Sequence, residues 1–289
     1  MRETEPPLID GIIVGAQKAG TSSLLKAFSN HPLICTHFQR EMAYFVDDEL
    51  FSKGWENSFT RYFSPTENQS FLLAKNVGVM YQPDALARLF EHNPDVKVIV
   101  SLRNPVERAI SAFHFFRRVG LESNTNIDDV IQQSLNGNDQ FGYLARGRYS
   151  DQIKRICKIF PKSNVSIFLT DDFTDGYLDI VQSISNSICG EPGIEWLPNT
   201  RRSNEKKNAR FDSIAKISKS HFKGRQALKA VVPQVVRDRL RVTVEKMNST
   251  KFKPIETQCN NRPLLVEYFQ EEVSHLEKEL DRDLTAWRS

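Results

Sequence analysis

Gly15, Lys18, Gly20, Thr21 and Ser22 are residue types and spacings that could hold an anion. The segment Gly11-Ile12-Ile13-Val14-Gly15-Ala16-Gln17-Lys18-Ala19-Gly20-Thr21-Ser22-Ser23-Leu24-Leu25 passes from an apolar run, through a glycine-bracketed loop, into an apolar-periodic stretch. Strand, tight loop and helix start, in that order, leave backbone N–H groups where negative charge is favoured. A loop of the nucleoside triphosphatase kind reads G-x-x-x-x-G-K-[ST]. Here both glycines keep that spacing, but Thr21 stands where the lysine belongs, and the lysine has moved inside the loop as Lys18. That displacement argues against an ordinary ATPase or GTPase. A second constellation lies in Lys97-Val98-Ile99-Val100-Ser101-Leu102-Arg103-Asn104-Pro105 and the helical stretch that follows it. Arg103 closes an apolar run and Ser111 lies two helical turns further on. A guanidinium and a hydroxyl so placed can grip one phosphate from two sides. Two separate grips suit a ligand with two phosphate groups.

Such groups need a scaffold that ends several strands along one edge. Apolar, non-alternating runs predict strands at 12–14, 71–76, 97–102 and 165–169. Helical spacing predicts helices over 21–30, 83–91, 106–119, 150–160 and 177–188, and another over 128–135 started by Asn126 or Asp128. Residues 33–64 read as loops and a short helix. Strand-helix alternation with buried strands predicts an α/β fold, a P-loop-type parallel β-sheet flanked by helices on both faces, in a single domain spanning 1–289. Parallel sheets bind ligands at the carboxyl ends of their strands. Gly15–Ser22, Lys75 and Arg103 all lie where a strand is ending. Residues 211–247 interleave Val231, Val232, Val235, Val236, Leu240 and Val244 with Lys229, Arg237, Arg239, Arg241 and Lys246. The expectation for them is a peripheral helix packed on the core, with a membrane surface or the acceptor cleft as the alternative place.

The two motifs, in this order and on these elements, resemble the 5′-phosphosulfate loop and 3′-phosphate motif of sulfotransferases that use 3′-phosphoadenosine-5′-phosphosulfate (PAPS). The family's 3′ motif is a strand, R-[DN]-P, five residues and then Ser, positions taken here by Arg103 and Ser111. The branch resembled is the heparan-sulfate and bacterial type. Its K-E-x-H-F-F segment is similar to Arg40-Glu41-Met42-Ala43-Tyr44-Phe45, with Arg40 for the lysine and Ala43 for the histidine. Its E-K-[ST]-P element reads Ala74-Lys75-Asn76-Val77, keeping the lysine alone. Gly147-Arg148-Tyr149 with Phe160-Pro161, and Leu276, Leu280, Asp283, Leu284 and Trp287, extend the likeness over most of the chain; residues 195–250 match only loosely.

The resemblance implies PAPS as co-substrate and roles for particular residues. Glu41 would be the base that takes a proton from an acceptor hydroxyl or amine, with His37 as its nearest competitor. Lys18 would bind the phosphosulfate and neutralise charge on the bridging oxygen, and Lys75 would support the sulfuryl group from the other side. Ala19, Gly20, Thr21 and Ser22 would hold the 5′-phosphate, and Lys251 and Lys253 would close over the donor's 3′ side. Arg148 and Tyr149 would line the nucleotide or the acceptor. A sulfuryl group carries less charge than a phosphoryl group, so lysines and N–H groups can suffice and no metal is expected. The acceptor stays open, with carbohydrate among the candidates.

Composition narrows the remainder. With 289 residues, 39% of them hydrophobic and 26% charged, the chain reads as a globular α/β protein. No apolar stretch approaches the roughly 20 residues that cross a bilayer. Met1-Arg2-Glu3-Thr4-Glu5-Pro6-Pro7 carries no apolar signal core. The expected location is therefore a bacterial cytoplasm, with an excised luminal catalytic domain as the alternative. Cys35, Cys157, Cys189 and Cys259 are widely spaced and read as isolated thiols, and the six histidines form no metal pattern. Residues 201–253 hold sixteen Lys/Arg against four Asp/Glu, a balance of +12 that leaves the rest of this +3 chain at −9. That basic segment points either to an anionic partner or to a solvated helical face; peripheral membrane contact stays open and nucleic acid is not expected. Two other functions remain: a P-loop kinase for a small molecule, and a non-catalytic module that binds sulfated glycans.

Overall fold

The computed structural model describes residues 6–190, 194–200, 207–209, 249–251 and 259–289. Its elements run β1 (Gly11–Gly15), α1 (Thr21–Ala27), β2 (Ile34–Thr36), α2 (Asp48–Ser52), α3 (Trp55–Tyr62), β3 (Phe71–Lys75), α4 (Pro83–His92) and β4 (Lys97–Leu102). They continue with α5 (Pro105–Arg118), α6 (Ile127–Leu135), α7 (Tyr149–Ile159), β5 (Val165–Leu169), α8 (Tyr177–Cys189), β6 (Lys207–Ala209), β7 (Ser249–Lys251) and α9 (Arg262–Leu280).

Every residue of β1 is buried. Its side chains nevertheless serve two different cores. Ile12 and Val14 pack with Leu86, Leu89, Ile153, Ile156, Val273 and Leu276, from α4, α7 and α9. Ile13 packs on the opposite face with Leu24, Leu25, Ile180, Val181, Ile184 and Ile188, from α1 and α8. Alternation along a strand puts successive side chains on opposite faces, so an unbroken apolar run fits a sheet that is covered twice. Burying each such side chain contributes about 1.5–3 kcal/mol. The five main strands lie in the order β2-β3-β1-β4-β5 and pair in parallel throughout. β1 is thus the central strand, with β3 on one side and β4 on the other. A third cluster, including Phe113, Phe116, Ile131 and Phe269, joins α5 and α6 to α9.

The start of α5 explains the R-N-P sequence physically. Asn104 is the N-cap, and its side chain accepts from the N–H groups of Val106 and Glu107. Pro105 occupies the first turn, where its missing N–H costs nothing. Asn126 caps α6 in the same manner.

The expected strands and helices are present with ends shifted by a residue or so, apart from α1. That helix stops at Ala27, and the chain turns through His31, whose Nδ1 accepts from the N–H groups of Leu33 and Ile34. Residues 33–64 are more regular than expected, holding β2 and two helices. β2 is only three residues long, too short for a period to be read from it. The C-terminal Leu276, Leu284 and Trp287 are buried in the main core. β6 and β7 form a separate antiparallel ribbon, and β6 comes close to α5. The amphipathic stretch 211–247, and most of the basic segment 201–253, lie outside the described residues. The four cysteines are free thiols. Among the described residues no helix is long and apolar enough to cross a membrane.

Candidate active site

At the carboxyl end of β1 the Met80 side chain lies close against Gly15. A Cβ on Gly15 would lie 2.4 Å from the Met80 sulfur, so only glycine fits without displacement. Gly20 closes the loop at φ 79°, left-handed backbone that a side chain disfavours, and a Cβ there would meet Phe173 at 3.0 Å. Between them the loop is bonded to the sheet. Ala16 N donates to Ser101 O at 2.6 Å, and Ser101 Oγ donates to Ala19 O at 2.6 Å. Gln17 N donates to the Tyr81 hydroxyl at 2.8 Å. Ala19 and Thr21 are buried, Ser22 is half-buried and Gly20 exposed. The first-turn N–H groups of α1, at Thr21 and Ser22, have no acceptor within their own helix. Lys18 lies at φ 73°, with its Nζ 4.8 Å from the centre of the Phe115 ring.

Arg103 connects the second motif to the first. Its Nη1 donates to Lys18 O at 3.4 Å, and its Nη2 lies 3.5 Å from Glu107, which is itself paired with Arg262 at 2.6 Å. The end of β4 is fixed from behind, since the Tyr149 hydroxyl donates to Arg103 O at 2.9 Å. Tyr149 is fully buried, so it supports Arg103 and does not line a ligand, whereas Arg148 is exposed at the start of α7. Ser111 sits half-buried on α5. Lys251 has its backbone in β7, and Lys253 lies outside the described residues.

A third group assembles at the end of β3. Lys75 Nζ donates to Glu41 Oε1 at 2.5 Å, and Val77 N donates to Glu41 Oε2 at 3.2 Å. The ammonium is almost wholly buried, at 1% exposure, while the carboxylate keeps 34% and remains reachable from solvent. Burial pulls the Lys75 ammonium below the usual lysine range and Arg40 adds to this; Glu41 opposes it. Two backbone groups hold the loop in place: Met42 N donates to Lys75 O at 2.9 Å, and Asn76 Nδ2 donates to Met42 O at 2.8 Å. Asn76, which departs from the E-K-[ST]-P pattern, therefore ties the Glu41 loop to the strand. His37 has no such reach. It is 4% exposed, its Nε2 accepts from Lys75 N at 3.1 Å, and burial, aided by Lys75, pulls its pKa down to about 3. It stays a neutral acceptor for backbone, which removes it as a competitor of Glu41.

Tyr81 and Phe115 are the residues missed in the sequence. Nothing in its neighbours marks Tyr81, which reaches the loop from a distant turn. Phe115 has one faint signal: it follows Ser111 at a spacing of four on a helix, and so shares its face.

The family model described as a sulfotransferase domain matches residues 8–185, a span that takes in the loop, Glu41, Lys75, Arg103 and Ser111. Membrane-associated sulfotransferase kil1 of Dictyostelium discoideum is 31% identical over 106 residues, covering 36% of this chain and 22% of that protein. Mouse heparan sulfate glucosamine 3-O-sulfotransferase 5 is 24% identical over 166 residues, covering 52% of this chain and 44% of that protein. The chain thus spans less than half the length of either relative. A crystal structure of a sulfotransferase from Alicyclobacillus acidocaldarius superposes with a TM-score of 0.65 at 22% identity, over 99% of this chain and 100% of that one; it shares the fold. The matched domain takes in more than half of the 289 residues, and the chain belongs to the sulfotransferase domain family.

Proposed function

We propose that the protein moves a sulfuryl group from PAPS to a hydroxyl or amine of an acceptor, with Glu41 as the base. The observation that carries this reading is the Glu41–Lys75 pair. A solvent-reachable carboxylate is fixed at the end of β3 by a buried ammonium, in a sheet where β1 and then β4 follow β3 and end at the glycine loop and at Arg103. In this reading the first-turn N–H groups of Thr21 and Ser22, with Lys18, hold the 5′-phosphosulfate, while Arg103 and Ser111 hold the 3′-phosphate. Lys251 and Lys253 would approach the 3′ side from the segment that includes β7.

The acceptor oxygen or nitrogen gives its proton to the Glu41 carboxylate and attacks sulfur. The bond between sulfur and the bridging oxygen breaks, and adenosine 3′,5′-bisphosphate leaves. Charge grows on that bridging oxygen, and Lys18 is the cation placed to offset it. Proton removal by a positioned carboxylate contributes typically about 10²–10⁴ in rate. Lys75 keeps the Glu41 carboxylate aimed and adds positive charge on the sulfuryl side. A sugar hydroxyl is the acceptor type suggested by the heparan sulfate 3-O-sulfotransferase among the relatives.

Calorimetry against adenosine 3′,5′-bisphosphate, adenosine 5′-phosphate and ATP tests the donor half, and transfer of labelled sulfuryl groups to a panel of glycans, lipids and small phenols tests the reaction. Binding of the bisphosphate far tighter than of the other two is expected. Equal affinity for the bisphosphate and adenosine 5′-phosphate would remove the 3′-phosphate site and with it this function. Tight bisphosphate binding with no turnover on any acceptor would favour a binding module.

A further inference from the structure

Three cations meet over one aromatic ring at the mouth of this site. Lys18 Nζ lies 4.8 Å from the centre of the Phe115 ring, the Arg40 guanidinium 5.0 Å and the Arg118 guanidinium 5.5 Å. All three are inside the roughly 6 Å reach of a cation–π contact. Ser111, Phe115 and Arg118 follow one another at spacings of four and three, and so share one face of α5. Arg40 comes to the same ring from the loop that carries Glu41.

Such a cluster is costly by itself, because like charges gathered near a surface repel and exposed cation–π contacts offset only part of that repulsion. Burial and then Arg40 pull Arg118 below the ordinary arginine range, and Arg40 acts on Lys75 in the same direction. Neither Arg40 nor Arg118 pairs with a carboxylate among the described residues, so among these the two guanidiniums can take an anion.

The donor does not need these arginines. In the reading above, its two anionic ends are met by the loop with Lys18 and by Arg103 with Ser111. Arg118 lies seven residues beyond Ser111, about 10 Å along the helix axis. Arg40 immediately precedes the base and approaches the same ring as Arg118. We propose that Arg40 and Arg118, stacked on Phe115, form an anion-reading subsite for the acceptor, which takes a carboxylate, sulfate or phosphate group carried near the nucleophilic hydroxyl or amine. The guanidinium fork suits each of these oxyanions. This deepens the proposed function and rests on its assignment of the donor site.

The test fills the donor site with adenosine 3′,5′-bisphosphate. The complex is then titrated by calorimetry with a glucuronate-containing tetrasaccharide and with its carboxyl-reduced, neutral counterpart. The charged saccharide should bind at least tenfold more tightly. Arg40→Gln and Arg118→Gln should each remove most of that preference while bisphosphate affinity stays within twofold, and Arg118→Lys should retain part of it. In a parallel arm, vesicles of phosphatidylglycerol are compared with phosphatidylcholine. A preference confined to the charged vesicles and lost in Arg118→Gln keeps the subsite and assigns its anion to a lipid headgroup. The proposal is overturned if neither pair of probes shows a preference, failure of every probe to bind included. It is also overturned if Arg118→Gln weakens the bisphosphate more than tenfold, which gives Arg118 to the donor. Arg40 is exposed, so Arg40→Gln decides the matter if Arg118→Gln misfolds. Should wild-type protein fail to bind the bisphosphate, the donor assignment fails, and the saccharide pair on unliganded protein still tests the subsite.

Discussion

The Gly15–Ser22 loop is held by backbone, whereas the Glu41–Lys75 pair is held by charge. Around the loop the path is set by Gly15 packed against the Met80 side chain, a left-handed Gly20 and bonds between Ala16, Ala19 and Ser101. Around Glu41 the carboxylate owes its place to Lys75 Nζ and one backbone N–H. A backbone-held site keeps its shape when one side chain is lost. A charge-held site does not, because removing one partner leaves the other buried and uncompensated. Binding of the donor and turnover should therefore separate under mutation.

The largest separation is expected at Glu41. Glu41→Gln keeps the side chain's size and removes its charge and basicity, and its amide nitrogen cannot accept as the second carboxylate oxygen does, so donor affinity should persist while turnover falls at least about a hundredfold. Near-normal turnover would show that another group takes the proton. Lys18→Ala should abolish transfer in the same assay, since it removes the cation assigned to the leaving group. Arg103→Ala tests the backbone-held half. It should weaken the bisphosphate by about 1–3 kcal/mol, the range for a charge-assisted contact, and leave adenosine 5′-phosphate affinity nearly unchanged. Equal weakening of both ligands would mean that Arg103 shapes the loop through Lys18 O and does not grip the 3′-phosphate.

A smaller effect is expected at Asn76, which ties the Glu41 loop to the end of β3. Its side chain donates to Met42 O and accepts from Gly78 N at 2.7 Å. Asn76→Ala leaves a carbonyl and an N–H without this partner, a loss of about 1–3 kcal/mol in stability. In turnover assays kcat should fall more than donor affinity, because the loop freed is the one that aims Glu41. A proportional loss of both would place Asn76 in the structure of the whole sheet.

The same contrast explains what could be read from the chain before its fold. The strand, turn and helix start at Gly15–Ser22 and at Arg103–Ser111 were legible because each segment is contiguous. Gly15-x-x-x-x-Gly20 follows its strand directly, and Asn104 and Pro105 start a helix by purely local chemistry. The parallel sheet was legible for a related reason, since Ile12, Ile13 and Val14 can be apolar without a break only when both faces are covered. The Glu41 site was legible only through family resemblance, because Glu41 and Lys75 lie 34 residues apart and no periodicity joins them. Phe115 gave only the faint signal of its helix face, shared with Arg118; Lys18 and Arg40 come from two other segments, and only the fold brings them to the same ring. β2 escaped notice because its pairing with β3, over three residues, is decided by tertiary contact and not by its own sequence.

The smallest predicted effect concerns histidines that support both halves from behind. His37 Nε2 accepts from Lys75 N, His92 Nε2 accepts from Ile9 N at 3.1 Å, and His31 Nδ1 accepts from Leu33 and Ile34. Each imidazole must be neutral at the accepting nitrogen, and burial pulls the pKa values down to about 3 for His37 and about 4 for His31 and His92. In the unfolded chain they titrate near 6.5, so below that pH the unfolded state binds more protons than the folded one. Stability is therefore full above about pH 6.5 and is lost as pH falls toward 4, by at most about 1.4 kcal/mol per pH unit for each histidine. His92 is the position to alter, because it lies at the end of α4 and forms no part of either phosphate grip. His92→Gln keeps an acceptor for Ile9 N and cannot titrate. It sacrifices packing against Trp55, whose ring centre lies 4.8 Å from that of His92, so the variant should be less stable at pH 7. Its loss of stability between pH 6.5 and pH 4.5, followed by urea denaturation, should nevertheless be shallower than that of the wild type. An unchanged slope would mean that His92 keeps an ordinary pKa in the folded protein, and that its bond to Ile9 survives or yields without cost.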